Sequence, residues 1–113
     1  MSHTAELLLL MWAAHGLCDY PLQGDWLAKA KNFKTPPIPG ETIWPLAMMQ
    51  HGLIHATAVF WITGRWELGA LEYGAHILID YAKCAGKIGY NTDQNLHLAC
   101  KVLWVVILVK GWL

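Results

Sequence analysis

The sequence predicts an all-α protein: a four-helix up-and-down bundle, embedded in a membrane, with a short interfacial helix after the first long one. Three observations lead there. The chain has 113 residues, the size of one domain, so residues 1–113 are read as a single helical domain. Hydrophobic residues make up 56% of it and charged residues 14%, against roughly 45–50% and about 25% in an average soluble domain. Seven tryptophans add amphipathic rings of the kind that collect at membrane–water boundaries. Eight Lys and Arg balance eight Asp and Glu, so no basic face is available for a phosphate backbone and no nucleic-acid partner is expected. The same balance, at this hydrophobicity, excludes disorder.

Four apolar stretches supply the long helices. The first runs from about Thr4 to Tyr20 and ends where Pro21 disfavours helix for the residue before it. It has neither the basic flank nor the small-residue cleavage site of a signal peptide, so it is read as a retained helix. Asp25 to Asn32 comes next, with Asp25 placed to N-cap it. Its Trp26, Leu27 and Ala30, with Phe33, stand against Lys29 and Lys31, a pattern for a helix lying at an interface. Thr35–Gly40 (TPPIPG) is a rigid turn. Ile43 to Thr63 is 21 residues without Asp, Glu, Lys or Arg, enough for a bilayer crossing, and Pro45 is tolerated in its first turn. Trp66 to Ala85 carries Glu67, Glu72, Asp80 and Lys83, so it crosses only where neighbours shield its polar face. The last stretch starts after Asn91 or Thr92, either a suitable N-cap, and runs through KVLWVVILVKGWL. A compact soluble bundle is the competing architecture, because similar apolar windows also occur in buried core helices.

Loop charges orient the bundle. Lys29, Lys31 and Lys34 lie between the first two long helices, and Lys83 and Lys87 between the last two. The positive-inside rule turns those connections to the cytoplasm and both termini outward. Membrane lipid is then the immediate partner, and a homo-oligomer is compatible with the pattern. Cys18, Cys84 and Cys100 are odd in number and form no C-x-x-C pair, so they read as reduced thiols rather than a disulfide framework.

The chemistry is carried by a repeated spacing. Five of the six histidines have a His or Asp four residues away: His15 with Asp19, His51 with His55, His76 with Asp80, and His97 with Asp93. With ten His and Asp in 113 positions, chance produces this on the order of one time in a thousand. Residues i and i+4 share a helix face, so each pair presents two ligands side by side. In an up-and-down bundle all four pairs fall in the same half, the cytoplasmic one. Inward-facing imidazoles and carboxylates on facing helices are how bundles build metal sites, and this many ligands exceeds the four of a closed mononuclear site. The expectation is a two-metal centre drawn from His15, Asp19, His51, His55, His76, Asp80, Asp93 and His97. Zinc comes first and manganese or iron next, since mixed imidazole and carboxylate ligands suit all three. Singly, each residue has a plainer role: a hydrogen-bonded core histidine, Asp93 complementing a helix dipole, Asp19 closing the turn before Pro21.

The order H-x-x-x-D-x-x-L-Q (His15, Asp19, Leu22, Gln23), Asp25-Trp26, Lys31, His51, H-x-x-I-D-x-x-K (His76, Ile79, Asp80, Lys83) and D-x-x-x-H (Asp93, His97) resembles the small bacterial and phage family known as domain of unknown function 3307. That family is similar to membrane-bound metal-dependent hydrolases and, more remotely, to zinc phospholipase C and single-strand zinc nucleases. The resemblance implies ligand roles for His51, His76 and Asp80, extending to His15, Asp19, Asp93 and His97, and residence in a bacterial inner membrane. The remote enzymes' N-terminal tryptophan ligand has no counterpart in Met1-Ser2-His3, and their extra ligand histidines have no clear match.

Two functions compete. One is metal-assisted hydrolysis of a phosphate ester, a phosphorylated small molecule or lipid, with Asp19 or Asp93 as general base and Lys83 pairing a carboxylate. The other is a non-enzymatic membrane protein whose structural metal or polar core serves contacts with protein partners. A nucleophile elbow, a phosphate loop and a dinucleotide fingerprint are all absent, and Ser2 is the one serine.

Overall fold

Ser2 sets where the first helix starts. Its hydroxyl accepts the Ala5 N–H at 3.2 Å, and α1 runs His3–Asp19 before the chain turns at Pro21. The computed structural model describes residues 1–113, and every regular element in it is a helix: α2 Gly24–Ala30, α3 Trp44–Thr63, α4 Trp66–Cys84 and α5 Tyr90–Val109 follow. Pro45 occupies the first turn of α3, where its missing N–H costs no hydrogen bond. Gly64 closes α3 at φ 69°, a left-handed conformation that lets α4 begin two residues later. The turn before α3 is pinned to α2: Thr35 donates its hydroxyl to the Lys29 carbonyl at 2.8 Å, and the Asn32 side chain accepts the Lys34 N–H at 2.8 Å.

Two helix starts differ from expectation. Gln23, not Asp25, stands at the N-cap of α2, and Asp25 sits in the first turn, where its charge complements the helix dipole. Behind Gly89, α5 begins at Tyr90, ahead of Asn91 and Thr92. The Tyr90 hydroxyl hydrogen-bonds the Tyr20 hydroxyl and so ties the start of α5 to the end of α1. Starting there brings Asp93 into the first turn and buries it.

The four long helices close into a ring. α1 packs on α3 and α5, α4 packs on α3 and α5, and α2 lies against α3. The body is elongated, 50 × 25 × 23 Å. The α3–α4 seam is tight at Gly52 and Gly69; a Cβ on Gly69 would stand 3.0 Å from the Ala56 carbonyl oxygen. Each long helix turns a four-residue stripe inward, and each stripe changes character along its length. It reads Leu7, Met11, His15, Asp19 on α1 and Ala47, His51, His55, Val59 on α3; α4 gives Leu68, Glu72, His76, Asp80, and α5 gives Asp93, His97, Lys101, Val105. One half of the interior is therefore an apolar core of Leu7, Met11, Val59, Leu68, Trp104 and Val105. The other half is polar.

Ten of the 24 buried residues are His, Lys, Asp or Glu, while Trp61 is 83% and Leu78 73% exposed, with Leu46, Leu103 and Val109 also facing outward. By length and composition one helix, α5, is apolar enough to cross a membrane. The stretch expected as a second span, α3, carries Gln50, His51 and His55 and does not reach the same hydropathy. The embedded four-helix bundle expected from composition thus narrows to an all-helical fold with one candidate span.

Candidate metal centre

The polar half is assembled from the ends of all four long helices. Late α1 brings His15 and Asp19, early α3 His51 and His55, late α4 His76 and Asp80, and early α5 Asp93 and His97. All eight expected residues therefore face one region. The imidazoles stack: His55 on His76 with ring centroids 3.7 Å apart, and His76 on His97 at 4.1 Å. His15 closes the group, 5.2 Å from His55 and 5.1 Å from His97.

Within this region two sets of ligand atoms lie within 4.8 Å of one another: Asp19, His51, His55 and His76, and then His76, Asp80 and His97. His76 belongs to both. Its Nδ1 donates to Glu72 Oε1 at 3.3 Å, which fixes the tautomer and leaves the Nε2 lone pair facing the centre. That Nε2 lies 3.1 Å from His51 Nε2 and 3.5 Å from Asp80 Oδ2. A single nitrogen lone pair serves one ion, so the two sets must divide this histidine between them.

The carboxylates hold the two sets together. Asp80 Oδ1 accepts from His97 Nε2 at 2.9 Å, and its Oδ2 accepts from Lys31 Nζ at 2.7 Å while lying 3.4 Å from His51 Nε2. Asp19 turns Oδ1 toward His51 at 3.2 Å and His55 at 3.5 Å, yet none of these approaches has hydrogen-bond geometry. Both His55 Nε2 and Asp19 Oδ1 are buried without a hydrogen-bond partner. Facing donor atoms of this kind, left unsatisfied in a dry interior, are expensive unless something sits between them. The donor set fits a divalent cation with mixed nitrogen and oxygen ligands.

Charge makes the same case. Asp19, Glu72, Asp80 and Asp93 place four carboxylates inside, and Lys31 and Lys101 place two ammonium groups. With neutral imidazoles these groups carry two net negative charges, which bound cations would offset.

His15 and Asp93 stand outside both ligand sets. Gln94 joins them: its amide nitrogen donates to Asp19 Oδ2 at 2.7 Å and to Asp93 Oδ2 at 3.1 Å, and its oxygen accepts from His15 Nε2 at 3.1 Å. Asp93 Oδ1 is left free of hydrogen bonds, 3.4 Å from His97 Nε2. The expected pairing of Lys83 with a carboxylate is not found. Lys83 projects over the Tyr90 ring, 5.1 Å from its centroid, and Lys31, expected on the polar face of α2, turns inward to Asp80 instead. The reason lies in helix phase: Cys84, not Lys83, continues the buried face of α4 beyond Asp80.

Glu72, Lys101, Lys31, Gln94 and Trp104 are site residues that spacing of His and Asp alone passes over. Glu72 accepts from Lys101 and, at 2.7 Å, from Trp104 Nε1, so it is anchored on three sides. It sits one turn before His76, and Lys101 one turn after His97, so the four-residue step extended by a turn finds both.

A family model described as Protein of unknown function (DUF3307) matches residues 7–112, and the chain belongs to that family. No curated protein and no solved structure matches the chain.

Proposed function

We propose that this member of the DUF3307 family is a membrane-resident, metal-dependent hydrolase of phosphate esters, with zinc as the first candidate ion and manganese or iron next. The observation that carries the proposal is the convergence of Asp19, His51, His55, His76, Asp80 and His97, with donor atoms of Asp19 and His55 lacking any other partner. Asp19, His51 and His55 would hold one ion and Asp80 with His97 a second, His76 completing one of the two. Ions held there would supply Lewis acidity at a phosphoryl oxygen and make water acidic enough to attack at neutral pH.

The chain's own groups do the rest. Glu72 holds His76 in the ligating tautomer, and Lys101 and Trp104 hold Glu72. Asp93 is the carboxylate outside both ligand sets that retains a free oxygen, so it takes the role of proton acceptor. Asp19, the other candidate base, is spent as a ligand. Gln94 fixes Asp19 and Asp93 relative to each other.

Membrane residence is supported by the apolar exterior and polar interior, with the centre in the cytoplasmic half of a bacterial inner membrane by the lysines of its flanking connections. Fractionation tests this: the protein should pellet with membranes and need detergent for extraction. A monodisperse soluble species without detergent would contradict it.

A second reading has the same metal serving structure alone, and the deep burial of His51, His55 and His76 favours it. Hydrolysis of p-nitrophenyl phosphate and of phosphatidic acid by zinc-loaded protein in detergent separates the two. The hydrolase reading expects activity that chelation removes, zinc restores, and Asp93→Asn abolishes while zinc stays bound. A zinc-loaded protein inactive on both substrates favours the structural reading.

A further inference from the structure

Of the cavities in this protein, one is polar and reaches the centre. It has a volume of about 160 Å³, lies between α2 and α4, and is lined by Gln23, Lys31, Asn32, Asp80, Lys83 and Cys84 among others. Three larger surface pockets are walled chiefly by apolar side chains, and a fourth, lined by Asn32, Glu41 and Thr42 among others, is half polar; none touches a ligand residue.

We propose that this cavity is the binding site for a compact phosphate-type anion, held by Lys31 and Lys83 beside Asp80. The inference deepens the hydrolase reading and rests on its assignment of Asp80 as a metal ligand. Lys31 comes from the end of α2, a short helix, and reaches across to donate to Asp80 Oδ2 at 2.7 Å. The opposite flank of that oxygen faces His51 and His76, at 3.4 and 3.5 Å. A metal held by Asp80 would offset its negative charge and leave the Lys31 ammonium, which lines the cavity, less fully neutralised. Lys83 has no carboxylate partner at all; its ammonium rests on the Tyr90 ring. Two ammonium groups then share a small cavity with the Asn32 amide. Such a cavity attracts an anion and orients it against the metal ligand. Its size suits a phosphate group and excludes a bulky one. A phosphorylated lipid headgroup and a free phosphate present the same chemistry.

The test is calorimetric titration of zinc-loaded protein in detergent with inorganic phosphate, for wild type, Lys31→Met, Lys83→Met and Lys110→Met. Wild type should bind, Lys31→Met should weaken binding about tenfold or more, and Lys83→Met several-fold. Lys110→Met should match wild type, since Lys110 lies past the far end of α5, and zinc content should be equal in all four. Zinc-loaded Lys31→Met that binds phosphate as wild type does would overturn the proposal. Should Lys31→Met fail to fold, zinc-loaded Lys83→Met with unchanged phosphate affinity overturns it equally. A wild-type protein that holds no zinc defeats the metal reading beneath it, and elemental analysis shows that separately. Nanodiscs containing phosphatidic acid should compete with phosphate if the anion is a lipid headgroup. Free phosphate as the ligand leaves phosphatidic acid and phosphatidylcholine nanodiscs equally inert.

Discussion

Asp80→Asn keeps the volume of the side chain and removes its charge at a position 2% exposed. The carboxylate accepts from Lys31 at 2.7 Å and from His97 at 2.9 Å, two charge-assisted bonds of the stronger class. An amide in its place must turn an N–H toward one of these donors, and Lys31 remains buried without a counter-charge. Breaking a buried pair from one side costs about 3–5 kcal/mol. For a chain of this size that corresponds to a melting temperature lower by at least about 10 °C. The metal reading adds a second consequence: one ligand set loses its only carboxylate, so zinc content falls while Asp19, His51 and His55 keep theirs. Melting curves in detergent, with and without chelator, together with elemental analysis, measure both effects. The double variant Asp80→Asn/Lys31→Met removes the stranded ammonium and should regain more than half of the lost stability without regaining the zinc. If Asp80→Asn changes neither zinc content nor melting temperature, the reasoning about this residue is refuted.

Two further outcomes follow from the same geometry. Glu72→Ala frees His76 Nδ1 from its acceptor and should lower zinc affinity about 10–100-fold, read by competition with a chromophoric chelator. Gly69→Ala pushes a methyl against the Ala56 carbonyl and Phe60, so it should cost about 1–3 kcal/mol in thermal unfolding while leaving zinc content unchanged.

The four-residue step between His and Asp was legible in the sequence because an i,i+4 pair must share a helix face wherever the helix packs. His15–Asp19, His51–His55, His76–Asp80 and Asp93–His97 needed only the up-and-down order to arrive at one level. Glu72 and Lys101 obey the same step, but a Glu and a Lys on a helix ordinarily face solvent, so their pairing shows only once α4 and α5 are side by side. Lys31 was beyond reach for another reason. Its partner lies 49 residues away, and the geometry of the turn after α1, not any local pattern, decides that it dips inward. Lys83, nearer in sequence to Asp80, is turned away by a helical phase of one residue. Asn91 and Thr92 are good caps in isolation, but the Tyr20–Tyr90 contact and the burial of Asp93 favour an α5 that begins earlier.

Everything proposed for this bundle depends on a transition metal held between its imidazoles and carboxylates. The most direct test is elemental analysis of wild-type protein purified in detergent without chelator. At least one zinc, manganese or iron per chain is expected, with the content falling when Asp19 and His55, both in one ligand set, are replaced by alanine. Well under one metal per chain, in protein that is folded and was never exposed to chelator, would contradict it.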